Sequence, residues 1–375
     1  MAPSLTDLRG PCPGLNSLAN HGYINRTGLT NATELINAQM NVFGIGRDFA
    51  TALAVTAPIF SGDPNGVIVS IGGPPDRQYW NETSLKIPMP GLNGTHNFYE
   101  HDVSPTFGSL NKFGNDTQII NSQFTALYNR QFNVSNAKSN YSLDVMAAHR
   151  AFRRQEDISS DGYMFSALFP SLAVTAADHA FIAQLWGNRS AENPWGQTTK
   201  DILLSFYGVN RIILNADTPL FSPTGHSRIP TPWYRRPLET PYDFLAFSRD
   251  VLTMGKAYPE FFTIGGNIGA PNTFQNVSIS DLTNGTYNET MLFEKNNALC
   301  LAMQSAVVTA PVWLETIYKD PDYPNGLVNS TLPPLLSSLE CPNLKAVNSD
   351  LFLKFPGYTR ALAHDNSTEM RKRQD

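Results

Sequence analysis

The sequence predicts a mainly α fold, a single large domain of roughly ten helices with a few short β-strands. Apolar residues recur at helical spacing in several long segments, whereas clear alternation of apolar and polar residues is scarce. The 27 prolines and 26 glycines indicate long ordered loops between the helices. Since no internal repeat or low-complexity linker divides the chain, we interpret residues 1–375 as one domain and residues from about 365 to 375 as a flexible C-terminal tail.

The helices are predicted from capping signals and apolar periodicity. Pro13 suits the first turn of a helix, because its fixed φ is helical and its missing N–H is not needed there. Leu15 and Leu18 then follow at helical spacing. Short strands are predicted over residues 66–71 and 211–214. Further helices are predicted over residues 31–59 (with a break at 44–46), 121–132, 142–158, 175–187, 241–256 and 294–319.

The composition argues against a nucleic acid or a membrane as partner. The net charge is −5, and no basic stripe with interleaved aromatic residues occurs. The longest charge-free stretch, residues 296–314, contains Gln304 and Pro311 and is too polar to cross a bilayer. We therefore interpret that stretch as a buried helix and expect no nucleic acid and no membrane among the partners.

Thirteen Asn-x-Ser/Thr sequons, more than random order would give, indicate passage through a secretory pathway that glycosylates asparagine. The alternative is an Asn-rich loop composition without glycan. Residues 1–10 carry no apolar segment of a signal peptide, so we expect a secreted, extracellular protein whose signal has been removed. The sequon asparagines are Asn25, Asn31, Asn81, Asn93, Asn115, Asn133, Asn140, Asn188, Asn276, Asn284, Asn288, Asn329 and Asn366.

The three cysteines divide into a late pair and a single early residue. Cys300 and Cys341 suit a disulfide in an oxidising compartment, which leaves Cys12 as the odd cysteine and a candidate reactive or ligating thiol. Cys12 lies between Pro11 and Pro13 at a predicted helix N-terminus, where free backbone N–H groups and the helix dipole lower the pKa of a thiol. A thiolate there is either a nucleophile or a soft metal ligand.

Residues 100–104, Glu-His-Asp-Val-Ser, form a second dense cluster of functional side chains. A serine-hydrolase triad is a poor interpretation, because triad members come from separate elements and no Gly-x-Ser-x-Gly motif is present. A zinc site is also poor, because no paired Cys or His lies at ligand spacing. The Glu100 carboxylate, backbone carbonyls and the Ser104 hydroxyl suit Mg²⁺ or Mn²⁺, which leaves His101 free as an acid or base. An ordinary polar loop is the alternative.

Asp178 has two interpretations. It is either a functional carboxylate or the third residue of a capping box that starts at Thr175 and does no chemistry. Two histidines receive structural interpretations. His149 is predicted on a solvated helix face, and His21 is predicted to be hydrogen-bonded near the end of the first helix.

Two motifs resemble the fungal haem-thiolate peroxidases, the family that contains chloroperoxidase and the unspecific peroxygenases. The run Pro-Cys-Pro-Gly-Leu-Asn-Ser-Leu-Ala-Asn-His-Gly-Tyr-Ile at residues 11–24 resembles the opening segment of that family. The family's second motif, Glu-His-Asp or Glu-Gly-Asp followed by any residue and Ser, appears at residues 100–104. Residues 177–185 resemble the segment that carries its acidic partner. The resemblance implies a chloroperoxidase-like, mainly α fold.

The resemblance also implies that Cys12 is the proximal ligand of the iron in haem b. A thiolate ligand pushes electron density toward the iron and favours cleavage of the peroxide O–O bond. Pro11 and Pro13 would stiffen the loop around this ligand, while the N–H groups at the helix start tune the sulfur. The expected cofactor is therefore a Cys-ligated haem b.

On the other side of the haem, the resemblance implies a base that takes a proton from one peroxide oxygen and returns it to the other. His101 is the expected base with Asp178 as its acidic partner, where the family has a glutamate that is one methylene longer. The alternative is that His101 is the sole base, with Asp102 orienting its ring by a hydrogen bond, and His179 offers a third possibility. Glu100, the His101 carbonyl and Ser104 are expected to hold Mg²⁺ or Mn²⁺ against a haem propionate.

The function implied by the resemblance is that of a secreted peroxygenase. It would use hydrogen peroxide to insert oxygen into small apolar or aromatic substrates and would also carry out one-electron peroxidation. A haloperoxidase that oxidises chloride or bromide on the same scaffold is the alternative. A secreted glycoprotein that binds haem or a cation without turnover is a third hypothesis. Both a monomer and a homodimer are compatible with the sequence.

Overall fold

The computed structural model describes residues 1–61, 68–76, 78–79, 89–213, 219–309, 334–337 and 339–361. This part of the chain is mainly helical, with few short strands, as predicted. The principal α-helices are α1 (Pro13–His21), α2 (Ala32–Ala38), α3 (Arg47–Ser61), α4 (Leu110–Phe113), α5 (Asn121–Tyr128), α6 (Leu143–Ser160), α7 (Thr175–Gln184), α8 (Lys200–Tyr207), α9 (Phe244–Ala257), α10 (Ile279–Leu282) and α11 (Asn297–Val308).

The strands form three small antiparallel sheets at the margins of the helices. One sheet pairs β1 with β2, a second has the order β3-β6-β7, and the third is the hairpin of β4 and β5. The strands are β1 (Leu29–Thr30), β2 (Val69–Ser70), β3 (Phe165–Ser166), β4 (Val209–Ile213), β5 (Pro219–Pro223), β6 (Ile264–Gly266) and β7 (Gln275–Val277). The sheets are small, but apolar side chains from their strands, such as Val69, Phe165 and Ile264, belong to the same core as the helices.

The predicted helix starts and breaks are largely confirmed. α1 begins at Pro13, and the break predicted at residues 44–46 is present, because Gly44 has φ +70° and its Cβ position is closed by the Arg236 carbonyl oxygen. The structure also contains elements that the sequence did not predict, including α8 and the strands β1, β3, β5, β6 and β7. Residues 66–67, 214 and 310–319 of the predicted elements, and the predicted tail, lie outside the described residues.

One predicted helix begins too late. Residues 170–174 form a π-helix that runs directly into α7, so Val174 and Thr175 already have helical φ and ψ. Thr175 is therefore not an N-cap, and the capping-box interpretation of Asp178 is wrong. The Thr175 hydroxyl bonds instead to the Pro170 carbonyl and approaches the His101 ring.

The helices that surround the site pack through aromatic side chains. α7 packs between α6 and α9, and α11 packs against the π-helix that precedes α7. Phe49 of α3 lies at the centre, with its ring stacked on Phe247 at 4.8 Å and edge-on to Phe244 and Phe181. Burial of these rings and their offset contacts stabilise the arrangement of α3, α7 and α9.

A disulfide joins α11 to the segment that follows it. Cys300 and Cys341 are bonded, as the sequence predicted, with their Cα atoms 5.5 Å apart. The two cysteines are 41 positions apart in the sequence, so the bond closes a long loop and reduces the conformational entropy of the unfolded chain. None of the described helices combines the length and apolar character needed to cross a membrane.

Candidate functional site

Two adjoining cavities of about 900 and 910 Å³ lie between α1 and α7. Nine residues line both of them, including Cys12, Ser104 and Asp178, so the two cavities are parts of one site. The first cavity extends toward Pro13, Trp186 and Tyr207. The second extends toward Glu100, His101 and the aromatic cluster of α3 and α9. Of the predicted site residues, Asp102 lies outside the lining of both cavities.

Cys12 is a free thiol at the N-cap of α1 and is half-buried in the wall of both cavities. The loop that carries it is held by Asn16, whose side chain accepts a hydrogen bond from Gly10 N at 3.1 Å and donates one to Gly10 O at 2.8 Å. The Cys12 carbonyl accepts the first helical hydrogen bond from Asn16 N at 3.0 Å. This anchoring role of Asn16 was not predicted from the sequence.

The pKa of the Cys12 thiol is shifted in the direction opposite to the prediction. Burial raises its pKa to about 11, and the nearby Asp178 carboxylate adds to the rise. The backbone N–H groups of Leu15 and Gly14 act in the opposite direction but do not compensate. The prediction of a lowered pKa for this thiol is therefore wrong. A metal that binds this sulfur must displace its proton.

His101 and Asp178 form a pair in the second cavity. His101 Nε2 lies 3.3 Å from Asp178 Oδ2, and His101 Nδ1 lies 2.5 Å from the carbonyl oxygen of Asp102. Because a carbonyl can only accept, Nδ1 carries a proton, which leaves Nε2 to exchange a proton with Asp178. Burial lowers the pKa of His101, but the hydrogen bond and charge of Asp178, with that of Glu100, raise it above its ordinary value.

Asp102 orients the His101 ring through its carbonyl rather than its carboxylate. The carboxylate accepts a hydrogen bond from Phe165 N at 3.1 Å, and its other oxygen lies 3.8 Å from His96 Nε2. Burial raises the pKa of Asp102 to about 6, although His96 acts to lower it. Asp102 therefore positions His101 while its side chain belongs to a separate buried cluster.

α6 fixes the turn that follows Asp102. Val103 has φ +70°, a left-handed conformation that is strained for a β-branched residue. Its N–H donates to Asp157 Oδ2 at 2.8 Å, and Arg153 Nε donates to the Ser104 carbonyl at 3.0 Å. Arg153 and Asp157 are fully buried and bond to each other at 2.9 Å. The hydrogen bonds from this ion pair to the backbone hold the turn in its strained conformation, and the turn in turn fixes the position of His101.

The sequence reasoning did not identify this buried face of α6. His149 was predicted on a solvated helix face, but it is fully buried, and its Nε2 lies 2.8 Å from the Pro105 carbonyl oxygen. That prediction is wrong, because burial lowers the pKa of His149 to about 3 and the neutral ring donates a hydrogen bond to the Pro105 carbonyl. The prediction for His21 is confirmed, since its Nε2 accepts from Ile229 N at 3.1 Å.

Glu100 already has a charged neighbour. His96 Nδ1 lies 2.5 Å from Glu100 Oε2. Burial lowers the pKa of His96, but Glu100, Asp102 and Asp116 together raise it to about 9. Ser104 Oγ accepts from Phe107 N at 3.2 Å. Within the described residues, no group of three or more His, Cys, Asp or Glu side chains forms a metal site. The predicted cation site at Glu100, His101 and Ser104 therefore remains a prediction.

These features define a class of protein. A free thiol at a helix N-terminus shares a largely apolar cavity of about 900 Å³ with a histidine–carboxylate pair. The apolar lining suits a haem, and a thiol such as that of Cys12 is a soft donor of the kind that haem iron can bind. A mainly α chain with this site has the arrangement of a haem-thiolate peroxidase.

The comparisons with known proteins agree with that class. The family model "Peroxidase, family 2" matches residues 1–238, and the chain belongs to this family of haem-thiolate peroxidases. Family membership implies a haem cofactor and an oxidoreductase that acts on hydrogen peroxide.

Three relatives illustrate the range of the family. A dothistromin biosynthesis peroxidase of Dothistroma septosporum is 34% identical over 360 residues, which cover 95% of this chain and 84% of the relative. An aromatic peroxidase of Fusarium equiseti is 33% identical over 363 residues, covering 94% and 81%. An aromatic peroxygenase of Coprinellus radians is 30% identical over 206 residues, covering 53% and 75%. The relatives thus include both named peroxidases and a named peroxygenase.

Proposed function

We propose that the protein is a secreted haem-thiolate peroxygenase that uses hydrogen peroxide to insert an oxygen atom into small apolar or aromatic molecules. One observation carries the proposal: the free thiol of Cys12 and the His101–Asp178 pair line the same apolar cavity. One-electron peroxidation of aromatic substrates is part of the proposed activity.

Cys12 would hold the haem iron, with Pro11 and Pro13 on either side of it. When bound, the haem supplies the iron at which the peroxide O–O bond is cleaved, and a thiolate ligand favours that cleavage. The hydrogen bonds between Asn16 and Gly10 fix the loop before the cofactor arrives. The N–H groups of Leu15 and Gly14, directed at the sulfur, would stabilise the thiolate once the iron has displaced its proton.

His101 would move the proton that O–O cleavage requires. With Nδ1–H held by the Asp102 carbonyl, Nε2 is free to accept a proton from peroxide and return it to the leaving oxygen. Asp178, 3.3 Å from Nε2, would stabilise the protonated ring or take the proton itself. Its carboxylate is shorter than the glutamate of the family, yet it reaches His101 directly.

The lining of the second cavity supports apolar substrates. Phe49, Phe181 and Phe247 face it together with Ala173 and Ala177, whose small side chains leave room for a substrate beside the pair. Such walls exclude water and bind hydrocarbon or aromatic surface. An apolar lining binds hydrocarbon more readily than a halide, which favours a peroxygenase over a haloperoxidase.

A divalent cation is also part of the proposal. Mg²⁺ or Mn²⁺ would bind Glu100, the His101 carbonyl and Ser104 beside a haem propionate. Because His96 is paired with Glu100, cation binding would require loss of that pairing. Metal analysis of the purified holoenzyme tests this, with one equivalent per haem as the expected result.

Secretion and glycosylation are supported by the surface positions of the sequons. Of the ten sequon asparagines that the structure describes, five are exposed and five are half-buried, so none is buried in the core. Asn81, Asn329 and Asn366 lie outside the described residues. Removal of N-glycans by an amidase from protein secreted by a fungal host should lower its mass. An unchanged mass would contradict the glycoprotein assignment.

The experiment that tests the oxygen-transfer activity uses isotopically labelled peroxide. The holoenzyme receives H₂¹⁸O₂ and a small aromatic substrate, and the hydroxylated product is analysed by mass spectrometry. Incorporation of ¹⁸O supports the peroxygenase, whereas coupled products without label indicate one-electron peroxidation alone. Chlorination of a halide acceptor without oxygenation would favour the haloperoxidase. Absence of all turnover in haem-loaded protein would favour a non-catalytic haem-binding protein.

A further inference from the structure

α11 contributes one chemically distinct side chain to the second cavity. Leu299 and Met303 are four residues apart, so they share a face of the helix, and both line this cavity with His101 and Asp178. Met303 is only 4% exposed. The side chain is therefore shielded from bulk solvent, while it contributes to the lining of the cavity.

Met303 differs in position from the other methionines. Among the residues that the structure describes, no other methionine lines either cavity. Met254 of α9 is equally buried, at 1% exposure, but lies outside both linings. Met1, at 79% exposure, is open to bulk peroxide. A comparison of the oxidation rates of these three methionines therefore distinguishes oxidation within the site from oxidation by peroxide in solution.

A thioether is the most readily oxygenated side chain of this lining. Its sulfur is soft and polarizable, whereas the neighbouring Phe, Leu and Ala side chains offer only carbon. Cys12 carries the other lining sulfur and is assigned to the iron. When no substrate is bound, the sulfur of Met303 is therefore the expected acceptor of an oxygen atom transferred from peroxide in this cavity.

We propose that Met303 is a self-oxidation site, at which the enzyme converts its own side chain to methionine sulfoxide when no organic substrate is present. The inference rests on the proposed oxygen-transfer activity. One S–O bond forms and the O–O bond of hydrogen peroxide breaks. The second peroxide oxygen leaves as water with both protons. The sulfur loses two electrons and the peroxide gains them, so no other reactant is needed.

Oxidation at this position would alter the substrate site. The sulfoxide is polar, and its oxygen would project into a cavity wall formed by Leu299, Phe247 and other apolar side chains. Apolar substrates would then bind less well. A bound substrate occupies the same cavity, so it would protect Met303 by taking the oxygen instead.

Peptide mass spectrometry tests the inference. Holoenzyme is incubated with hydrogen peroxide, without substrate, and digested at intervals. Met303 is expected to gain one oxygen at least about ten times faster than Met254. A saturating small aromatic substrate should slow this gain, and haem-free protein should not show it. Met1 reports oxidation by bulk peroxide, which should be the same in all three samples. Equal oxidation of Met303 with and without haem would overturn the inference.

A variant and an external thioether complete the test. Met303→Leu has nearly the same volume and cannot be oxygenated at sulfur. After incubation with peroxide alone it should therefore retain about three times as much activity toward an apolar substrate as the parent protein. Met254→Leu is the matched control and should lose activity as the parent does. Equal loss of activity in Met303→Leu and the parent would contradict the proposed effect of Met303 oxidation on the substrate site. If the enzyme oxygenates thioanisole but leaves Met303 unmodified, the inference fails while the proposed function stands. If neither sulfur is oxygenated, the proposed function fails too.

Discussion

The two walls of the site are built in opposite ways. The wall that carries Cys12 comes from a contiguous stretch, residues 10–16, and the hydrogen bonds by which Asn16 holds the Cys12 loop stay within that stretch. The wall that carries His101 and Asp178 combines side chains from the 96–104 loop, α6 and α7. One wall depends on local sequence, whereas the other depends on tertiary packing.

The walls also differ in charge. Burial keeps the Cys12 thiol neutral, with a pKa of about 11, so its charge depends on the metal. The opposite wall already contains charged pairs, of which Arg153–Asp157 is fully buried. Substitutions in the first wall should therefore affect cofactor binding. Substitutions in the second should affect proton transfer and stability.

Among the proposed substitutions, Cys12→Ala is expected to have the largest effect on haem binding. Loss of the sulfur ligand should weaken haem binding more than about 100-fold, because even substitutions beside a metal ligand cost 10–100-fold. The carbon-monoxide complex of the reduced protein should lose the red-shifted band of thiolate-ligated haem. Ser17→Ala in the same helix removes one hydrogen bond to the Gly14 carbonyl and should keep that band. A red-shifted band in Cys12→Ala would contradict the ligand assignment.

Substitution of Asp178 should affect proton transfer instead. Asp178→Asn is expected to lower the rate of peroxide cleavage about 10²- to 10⁴-fold, with haem absorption retained. Because Asp178 raises the pKa of His101, this variant should also move the pH at which His101 becomes an active base to lower values. Stopped-flow kinetics across pH measures both effects.

Two further variants interpret the Asp178 result. Asp178→Glu restores the carboxylate that the family carries and should remain within about tenfold of the parent rate. Asp201→Asn, an exposed acid in α8, should have no effect. Full turnover by Asp178→Asn would mean that His101 acts alone.

The same contrast explains what the sequence could predict. Cys12, Pro11 and Pro13 are adjacent in the chain, so one motif was sufficient to place them at the start of α1. The disulfide between Cys300 and Cys341 followed from having three cysteines, and it is confirmed. The mainly α fold followed from apolar periodicity, which depends on local spacing.

The details of the second wall were not predictable in this way. Whether the Asp102 side chain or its carbonyl reaches His101 depends on the left-handed turn at Val103, which nothing in the local sequence requires. Arg153 and Asp157 have the spacing of an ordinary surface pair, and a single sequence does not distinguish a buried pair from a solvated one. Tertiary packing decides both.

The buried ion pair should make a large contribution to stability. Arg153→Met leaves the Asp157 carboxylate buried without its partner and is expected to cost about 3–5 kcal/mol in the free energy of unfolding. Glu156→Gln removes the other acid that contacts Arg153, but this acid is 31% exposed, so the expected cost is about 0–1 kcal/mol. Urea denaturation compares the two variants. Equal costs would show that burial of Asp157 does not make the difference.

The cluster around His96 is expected to make the free energy of unfolding depend on pH. The pKa of His96 is about 9 in the folded protein and about 6.5 when unfolded, so its contribution to stability is complete below pH 6.5 and disappears as pH rises through 9. The pKa values of Asp102 and Asp116 are also raised, so these two groups make the free energy of unfolding fall with rising pH as well, but at lower pH. The free energy of unfolding should therefore fall between pH 6.5 and 9.

His96→Gln should remove on the order of 3 kcal/mol of this pH-dependent fall. His226→Gln is the control, because burial lowers the pKa of His226 and its side chain stays neutral over the same range. Identical slopes in the parent protein and His96→Gln would exclude the pairing with Glu100. A divalent cation at Glu100 would displace the His96 proton, so Mg²⁺ should flatten the slope of the parent and a chelator should restore it. The slope thus reports whether a proton or a metal neutralises Glu100 in this wall.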